Sequence, residues 1–247
     1  MTEKLFIIGN GFDLHHGIPS GYGDFGRYVE QNDPATFQLI NEYLFVDEDF
    51  WYCLEERLAT FDSDKILDHA ANFLVSYGVD DWSDADHHNY EYEIQQVAGG
   101  LSCDMRDRFA DWVRSLPIPN AKFSPKIACV SPEAHFLNFN YTPTLQQAYN
   151  VPDQNVLHIH GRASEPNSKL VLGHGWERDA DESLSRYVDE DTDTRVAGGY
   201  HLIDQYFADT FKPAGSIIAL NKSFFTGLQN VREIWVLGHS LADVDAA

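Results

Sequence analysis

The chain opens on a short apolar run, LFII at residues 5–8, that ends at two glycines, and no second convincing strand signal follows for about 110 residues. A strand needs neighbours for its backbone N–H and C=O groups. Strand signals return only late, as EAHFLNFN at 133–140, NVLHIHG at 155–161, SKLVLGHG at 168–175 and REIWVLGHS at 232–240. Each has a short apolar centre and a polar or glycine-bearing tip. That pattern suits parallel strands buried on both faces, with a ligand gathered at their carboxyl ends.

Between Tyr22 and Leu116 apolar residues recur at helical spacing, in FWYCLEERLATF, DKILDHAANFLVSY and the long EIQQVAGGLSCDMRDRFADWVRSL, which predicts four or five helices. The acidic DDWSDADHHNYEYE reads as a solvated loop leading into the longest of them. WERDADESLSRYVDEDTDTR, with eight acids against three arginines, reads as a mobile surface loop. From Gly198 to Asn230 the pattern is helical again, with breaks at Pro213 and Gly227. The expected architecture is α/β: a single domain with a Rossmann-like, mainly parallel core at 1–23 and 126–247. A helical insertion at 24–125 is expected to fold over the mouth of the site as a cover or specificity element.

A chain of 247 residues with 43% hydrophobic and 13% aromatic residues can fill one such core. No apolar run approaches the roughly 18 residues of a membrane span, and LFII is too short for a secretory signal, so the cytoplasm is the default compartment. Cys53, Cys103 and Cys129 are odd in number and far apart, which fits a reduced compartment and offers neither a disulfide framework nor a Cys-x-x-Cys knuckle. With 17 basic and 39 acidic residues, a formal charge of −22, the chain would repel a nucleic-acid backbone. A small anion remains admissible where backbone N–H groups face it at a helix start.

Five stretches carry candidate chemistry. In LFIIGNGFDL, Gly9 and Gly11 allow a sharp turn and close approach to a ligand, Asn10 tolerates positive φ, and Asp13 falls near a helix start. Leu14 occupies the third glycine position of the dinucleotide fingerprint. His15 and His16 point about 100° apart on a helix and do not suit one metal, so they read as surface or capping residues. In HFLNFNYTPTLQQAY, Thr142 would cap a helix beginning at Pro143, while Asn138 and Asn140 would share one face near a strand end. In VLHIHGRA, His158 and His160 share a face. A base or ribose-binding role for His160 competes there with a satisfied structural histidine and with a metal site completed by His174, His239 or Asp13. KLVLGHG ends at Gly173, His174 and Gly175. IWVLGHSLADVD ends at Gly238, His239 and Ser240, with Ser240 and Asp243 spaced as a capping box. A parallel sheet would place all five tips on one edge.

Taken in order, LFIIGNGFDLHHGIPSGYGDF, the tryptophan-led FWYCLEERL, FLNFNYTPTLQQAY, VLHIHG, VLGHG and VLGHSLADVD resemble the bacteriophage abortive-infection AbiH family over essentially the whole chain. That family is grouped with sirtuin-like proteins, whose Rossmann-type core binds NAD. The resemblance implies NAD as ligand or substrate, and a catalytic asparagine and histidine matched here by Asn140 and His160. It implies a phosphate-proximal turn at Gly9, Asn10, Gly11, Phe12 and Asp13. It also implies a late nucleotide-contacting strand end at Gly238, His239, Ser240 and Asp243, with further contacts at Asn138 and Tyr141. Thr142 stands where an aspartate follows Asn-Tyr in the sirtuin-like pattern, and the cysteine quartet of a sirtuin zinc module is absent, so protein deacylation is not expected. The chain ends seven residues after Ser240, which implies a truncated form or a very short last helix.

The leading expectation is therefore hydrolysis of the nicotinamide–ribose bond of NAD, with no metal. His160 would act as base, Asn140 would orient water and ribose, and Asp13 or Asp243 would meet hydroxyls. A non-catalytic nucleotide sensor is the alternative, and a metal-dependent hydrolase using His158, His160 and His174 with a carboxylate is the third. Expected partners are a nucleotide, a phage or host trigger protein and a second copy of the chain, with no direct nucleic-acid or membrane contact.

Overall fold

The computed structural model describes residues 3–78, 84–122, 126–165, 168 and 170–241. The chain divides into two compact units. Met1–Phe25, Arg108–Leu172 and Pro213–Ala247 form the first, Gly26–Asp107 and Gly173–Lys212 the second.

The first unit holds a four-stranded sheet made of β1 (Lys4–Ile8), β2 (His135–Asn138), β3 (Val156–His158) and β4 (Glu233–Leu237). The order is β3-β2-β1-β4 and every pairing is parallel, as the α/β expectation required. Ile8 lies opposite both Asn138 and Leu237, and Asn138 opposite His158, so the four strands end in one row. The ladder continues one step beyond that row. Phe139 N–H donates to the Ile8 carbonyl at 2.9 Å, Ile159 N–H to Asn138 at 3.0 Å, and Gly9 N–H to Leu237 at 3.1 Å. Strand order reverses beside β1, and open α/β sheets bind ligands at such a reversal, outside the carboxyl ends.

Phe6, Ile8 and Phe136 face one side of the sheet. There they meet Phe12 of α1 (Asn10–His15) and Leu145, Ala148 and Tyr149 of α8 (Thr144–Tyr149). Phe6 stacks on Phe136 with centroids 5.2 Å apart. Each large apolar side chain buried there contributes about 1.5–3 kcal/mol, so this face, more than the short strands themselves, fixes the register.

Two strand expectations fail. β4 is not buried on both faces: Ile234, Trp235 and Val236 are 62%, 39% and 43% exposed. Among the described residues, α10 (Ala214–Leu220) and α11 (Lys222–Gly227) contain no buried residue and leave β4 open. The stretch at 168–175 forms no strand among the described residues. Val171 N–H does reach the His160 carbonyl at 2.9 Å, but its own carbonyl accepts the Tyr141 hydroxyl at 2.7 Å. His174 makes only a single bridge, to Phe211. Side-chain and single-residue bonds replace a ladder.

Six helices lie between Tyr22 and Ser115 among the described residues: α2 (Tyr22–Asn32), α3 (Pro34–Tyr43), the single-turn α4 (Leu54–Arg57), α5 (Ser63–Ala71), α6 (Asp84–Gly99) and α7 (Met105–Ser115). α6 begins inside the acidic stretch expected to be a loop, because its buried stripe of Tyr90, Ile94 and Val97 already follows helical spacing. The predicted long helix is interrupted by a π turn at Gly100–Asp104, where the Ser102 hydroxyl donates to the Ala98 carbonyl. In the second unit α6 packs against α9 (Thr194–Thr210), and a Cβ at Gly199 would come within 2.6 Å of Ile94 and Tyr90.

The acidic segment before α9 is organised by one carboxylate. Asp204 accepts the Ser183 and Ser185 hydroxyls at 2.5 and 2.7 Å, the Leu184 and Ser185 N–H groups at 2.9 Å, and Arg178 at 2.9 Å. Burial pushes this carboxyl up, but those donors carry it down to about 2. No helix among the described residues is long and apolar enough to cross a membrane.

Candidate functional site

At the β1 tip the glycines serve a backbone contact. Gly11 N–H donates to the Gly238 carbonyl at 2.8 Å, and Gly238 sits at φ +67°. A Cβ at Gly9 would lie 2.5 Å from His239 Cα, and one at Gly238 would lie 2.2 Å from the Phe12 nitrogen. The close approach anticipated toward a ligand is thus made by the end of β4. Phe12 is 1% exposed and belongs to the core, its ring tilted against those of His16 and Tyr149. Asn10 accepts the Ser20 hydroxyl at 2.6 Å. His15 is exposed, whereas His16, the residue closing α1, is buried. Its Nδ1–H donates to the Phe12 carbonyl at 2.6 Å and its Nε2 accepts the Tyr149 hydroxyl at 2.7 Å, an arrangement that suits the neutral ring. Burial, above all, lowers its pKa.

Asp13 is 1% exposed. Its Oδ2 accepts the Thr142 hydroxyl at 2.6 Å, and the Thr144 hydroxyl lies 3.0 Å from that of Thr142. Oδ1 takes no well-formed hydrogen bond among the described residues. Burial raises this carboxyl, hydrogen bonding lowers it only in part, and the balance is about 6. Thr142 therefore does not cap a helix. α8 starts at Thr144, with Pro143 before it and no side-chain cap, and the Thr142 hydroxyl is drawn instead to the buried carboxylate 129 residues earlier.

Asn138 and Asn140 are both buried, and the Asn138 side-chain oxygen accepts Asn140 N–H at 3.1 Å. The Asn140 amide nitrogen donates to the Gly9 carbonyl at 3.1 Å, tying the β2 tip to the β1 tip. His158 Nδ1–H donates to the Asn140 carbonyl at 2.9 Å, and Nε2 accepts from Gln146 at 3.0 Å. Burial lowers the His158 pKa to about 4 despite the Asn140 carbonyl. His160, 5% exposed, lies edge-on to Phe139 with centroids 5.2 Å apart and tilted against Tyr141 at 6.1 Å. Along β3 a cleft of about 250 Å³ is lined by Gln146, Asp153, Val156, His158, Gly161, Arg162, Glu165 and Ser168. Arg162 is paired there with Asp153 at 2.6 Å and with Glu165.

The β4 tip brings His239 against Phe139, with centroids 4.1 Å apart, and His239 Nδ1 accepts Leu241 N–H at 2.8 Å. Ser240 is exposed and Leu241 takes φ +56°, and the helix start expected from Ser240 onward runs beyond the described residues. Asp243 lies outside the described residues. In the second unit His174 is 1% exposed, and burial lowers its pKa to about 4. The metal reading loses His158, whose two nitrogens already have protein partners. Among the described residues no three His, Cys, Asp or Glu side chains group as metal ligands.

The sheet edge thus gathers Gly9, Gly11, Asn138, Asn140 and Gly238 through direct bonds. Sequence reading missed the threonine pair around Asp13, although a buried aspartate in a glycine turn demands donors and Thr-Pro-Thr supplies two hydroxyls. No curated protein and no solved structure matches the chain. Residues 5–247 match the family model described as bacteriophage abortive infection AbiH, and the chain belongs to that family.

Proposed function

We propose that this abortive-infection protein binds NAD at the carboxyl edge of its sheet and hydrolyses the nicotinamide–ribose bond. The observation that carries the reading is the row of strand ends. The Asn140 amide is held against the Gly9 carbonyl at 3.1 Å, at the reversal of strand order, with His160 two residues past the end of β3. Glycosidic cleavage passes through an oxocarbenium-like state and needs a positioned water and ribose. Asn140 positions them and His160 accepts the proton. The test is to incubate the purified protein with NAD and measure nicotinamide. Release that is lost in Asn140→Ala and in His160→Ala is expected, and release persisting in both variants refutes the assignment.

A second reading, a nucleotide sensor without turnover, is favoured by Thr142, which stands where an aspartate follows Asn-Tyr in the sirtuin-like pattern and gives its hydroxyl to the buried Asp13 at 2.6 Å. Calorimetric binding of NAD without product separates the two.

A further inference from the structure

β4 is an edge of the sheet, and its backbone on the open side is ready to pair. In a parallel strand the N–H and C=O of one residue point to the same side, and those of the next residue to the other. Glu233 N–H donates to the Glu3 carbonyl at 3.0 Å and the Leu237 carbonyl accepts Gly9 N–H at 3.1 Å, so the odd-numbered residues of β4 are turned to β1. Ile234 and Val236 therefore direct their backbone groups outward, and their side chains are 62% and 43% exposed. Edge strands are ordinarily blunted by a charge or a proline, and Ile234, Trp235 and Val236 carry neither.

We propose that β4 pairs antiparallel with β4 of a second copy of the chain, about a two-fold axis through Trp235, to make one continuous sheet with four strands from each copy. In that register the strand is complementary to itself. Ile234 falls opposite the partner's Val236, both on one face by the alternation of side chains. Trp235 lies opposite its own copy on the other face, where it stacks on Phe6 with centroids 6.2 Å apart. Glu233, the strand's one charge, falls opposite the partner's Leu237 and not against a second carboxylate.

Charge favours a second copy as the occupant of this edge. The chain carries −22, so two copies repel wherever their acids face each other. The 20 residues from Pro213 to Arg232, which lead through α10 and α11 into β4, contain no Asp or Glu. The charges at the head of the strand are matched within the chain, Glu233 by Lys4 at 3.4 Å and Arg232 by Glu3 at 3.7 Å. This edge thus meets its own copy without opposing like charges. A five-residue strand pair falls short of the roughly 800 Å² per partner of a standard interface, so the dimer is expected to be reversible and concentration-dependent.

Sedimentation velocity of the full chain from about 1 to 200 μM tests this, with association expected to rise across the range and to weaken about tenfold or more in Val236→Lys. Val236 is exposed, so the variant should keep the circular dichroism of the unaltered protein, and Ile234→Lys is a second variant with the same readout. The register has its own test. Trp235 would form a non-hydrogen-bonded pair, whose close Cα spacing of about 4.5 Å admits a disulfide. Trp235→Cys is expected to cross-link two chains on oxidation, above the background of the three native cysteines, whereas the exposed Ser240→Cys, five residues from the axis, is not. A chain that stays monomeric throughout, or a dimer that survives both lysine variants, overturns the proposal, and equal cross-linking at 235 and 240 overturns the register.

Discussion

Asp13→Asn has a thermodynamic signature of its own. Raising a carboxyl from 3.8 to about 6 on folding is worth about 3 kcal/mol, at about 1.4 kcal/mol per tenfold change, and Asp13 is too deeply buried for solvent to screen much of it. The sign follows from proton uptake: between those two values the folded protein holds a proton that the unfolded chain has released. Asp13 therefore contributes stability that is fully present below 3.8 and is lost as pH rises through about 6. Asparagine cannot ionise and lacks this loss. Urea unfolding of both proteins from pH 4 to 7.5 reads the effect as a difference. The variant is expected to gain on the unaltered protein by about 2–3 kcal/mol across that range, most steeply between pH 4 and 6. A difference that stays constant with pH refutes the reasoning, whatever its size.

Gly238→Ala is expected to destabilise by about 2–4 kcal/mol, because it combines a positive φ with a Cβ only 2.2 Å from the Phe12 nitrogen. Urea unfolding measures it, and a neutral result would mean that the β4 tip packs otherwise. Asp204→Asn acts in the opposite pH sense to Asp13. Its folded pKa of about 2 lies below 3.8, so its stability is present above 3.8 and disappears as pH falls toward 2. The loss at pH 7 is about 1–2 kcal/mol once screening of a partly exposed group is allowed for; it should still be present at pH 4 and vanish when the urea series is extended to about pH 2. Limited proteolysis should then cut first within 178–187, the segment Asp204 gathers.

The parallel sheet was legible because its signals are local. LFII, HFLN, VLH and EIWVL are short apolar runs with polar or glycine tips, and all four pair in parallel with their tips in one row. SKLVLGHG carries the same pattern yet forms no strand, since a tyrosine hydroxyl and an isolated bridge take the bonds a neighbour would have used. Thr142 shows the other limit. A local rule assigns its hydroxyl to the next helix, and only the fold brings up a buried carboxylate that holds it more strongly. The acidic run before α9 looked loose for the same reason. Its organiser, Asp204, lies about 20 residues further on inside a helix, where periodicity reveals burial but not hydrogen-bond partners.

The strand order β3-β2-β1-β4 also sets a schedule. Of the four strands β1 comes first in the chain, and it is flanked on both sides, by residues 135–138 and 233–237. At roughly 5–20 residues per second of synthesis, its apolar LFII waits about 6–25 s for one neighbour and about 11–45 s for the other. During that interval β1 has neither of its two neighbours in the sheet, and its strand pairings are all of long sequence separation. Folding of the first unit is thus timed by its last strand.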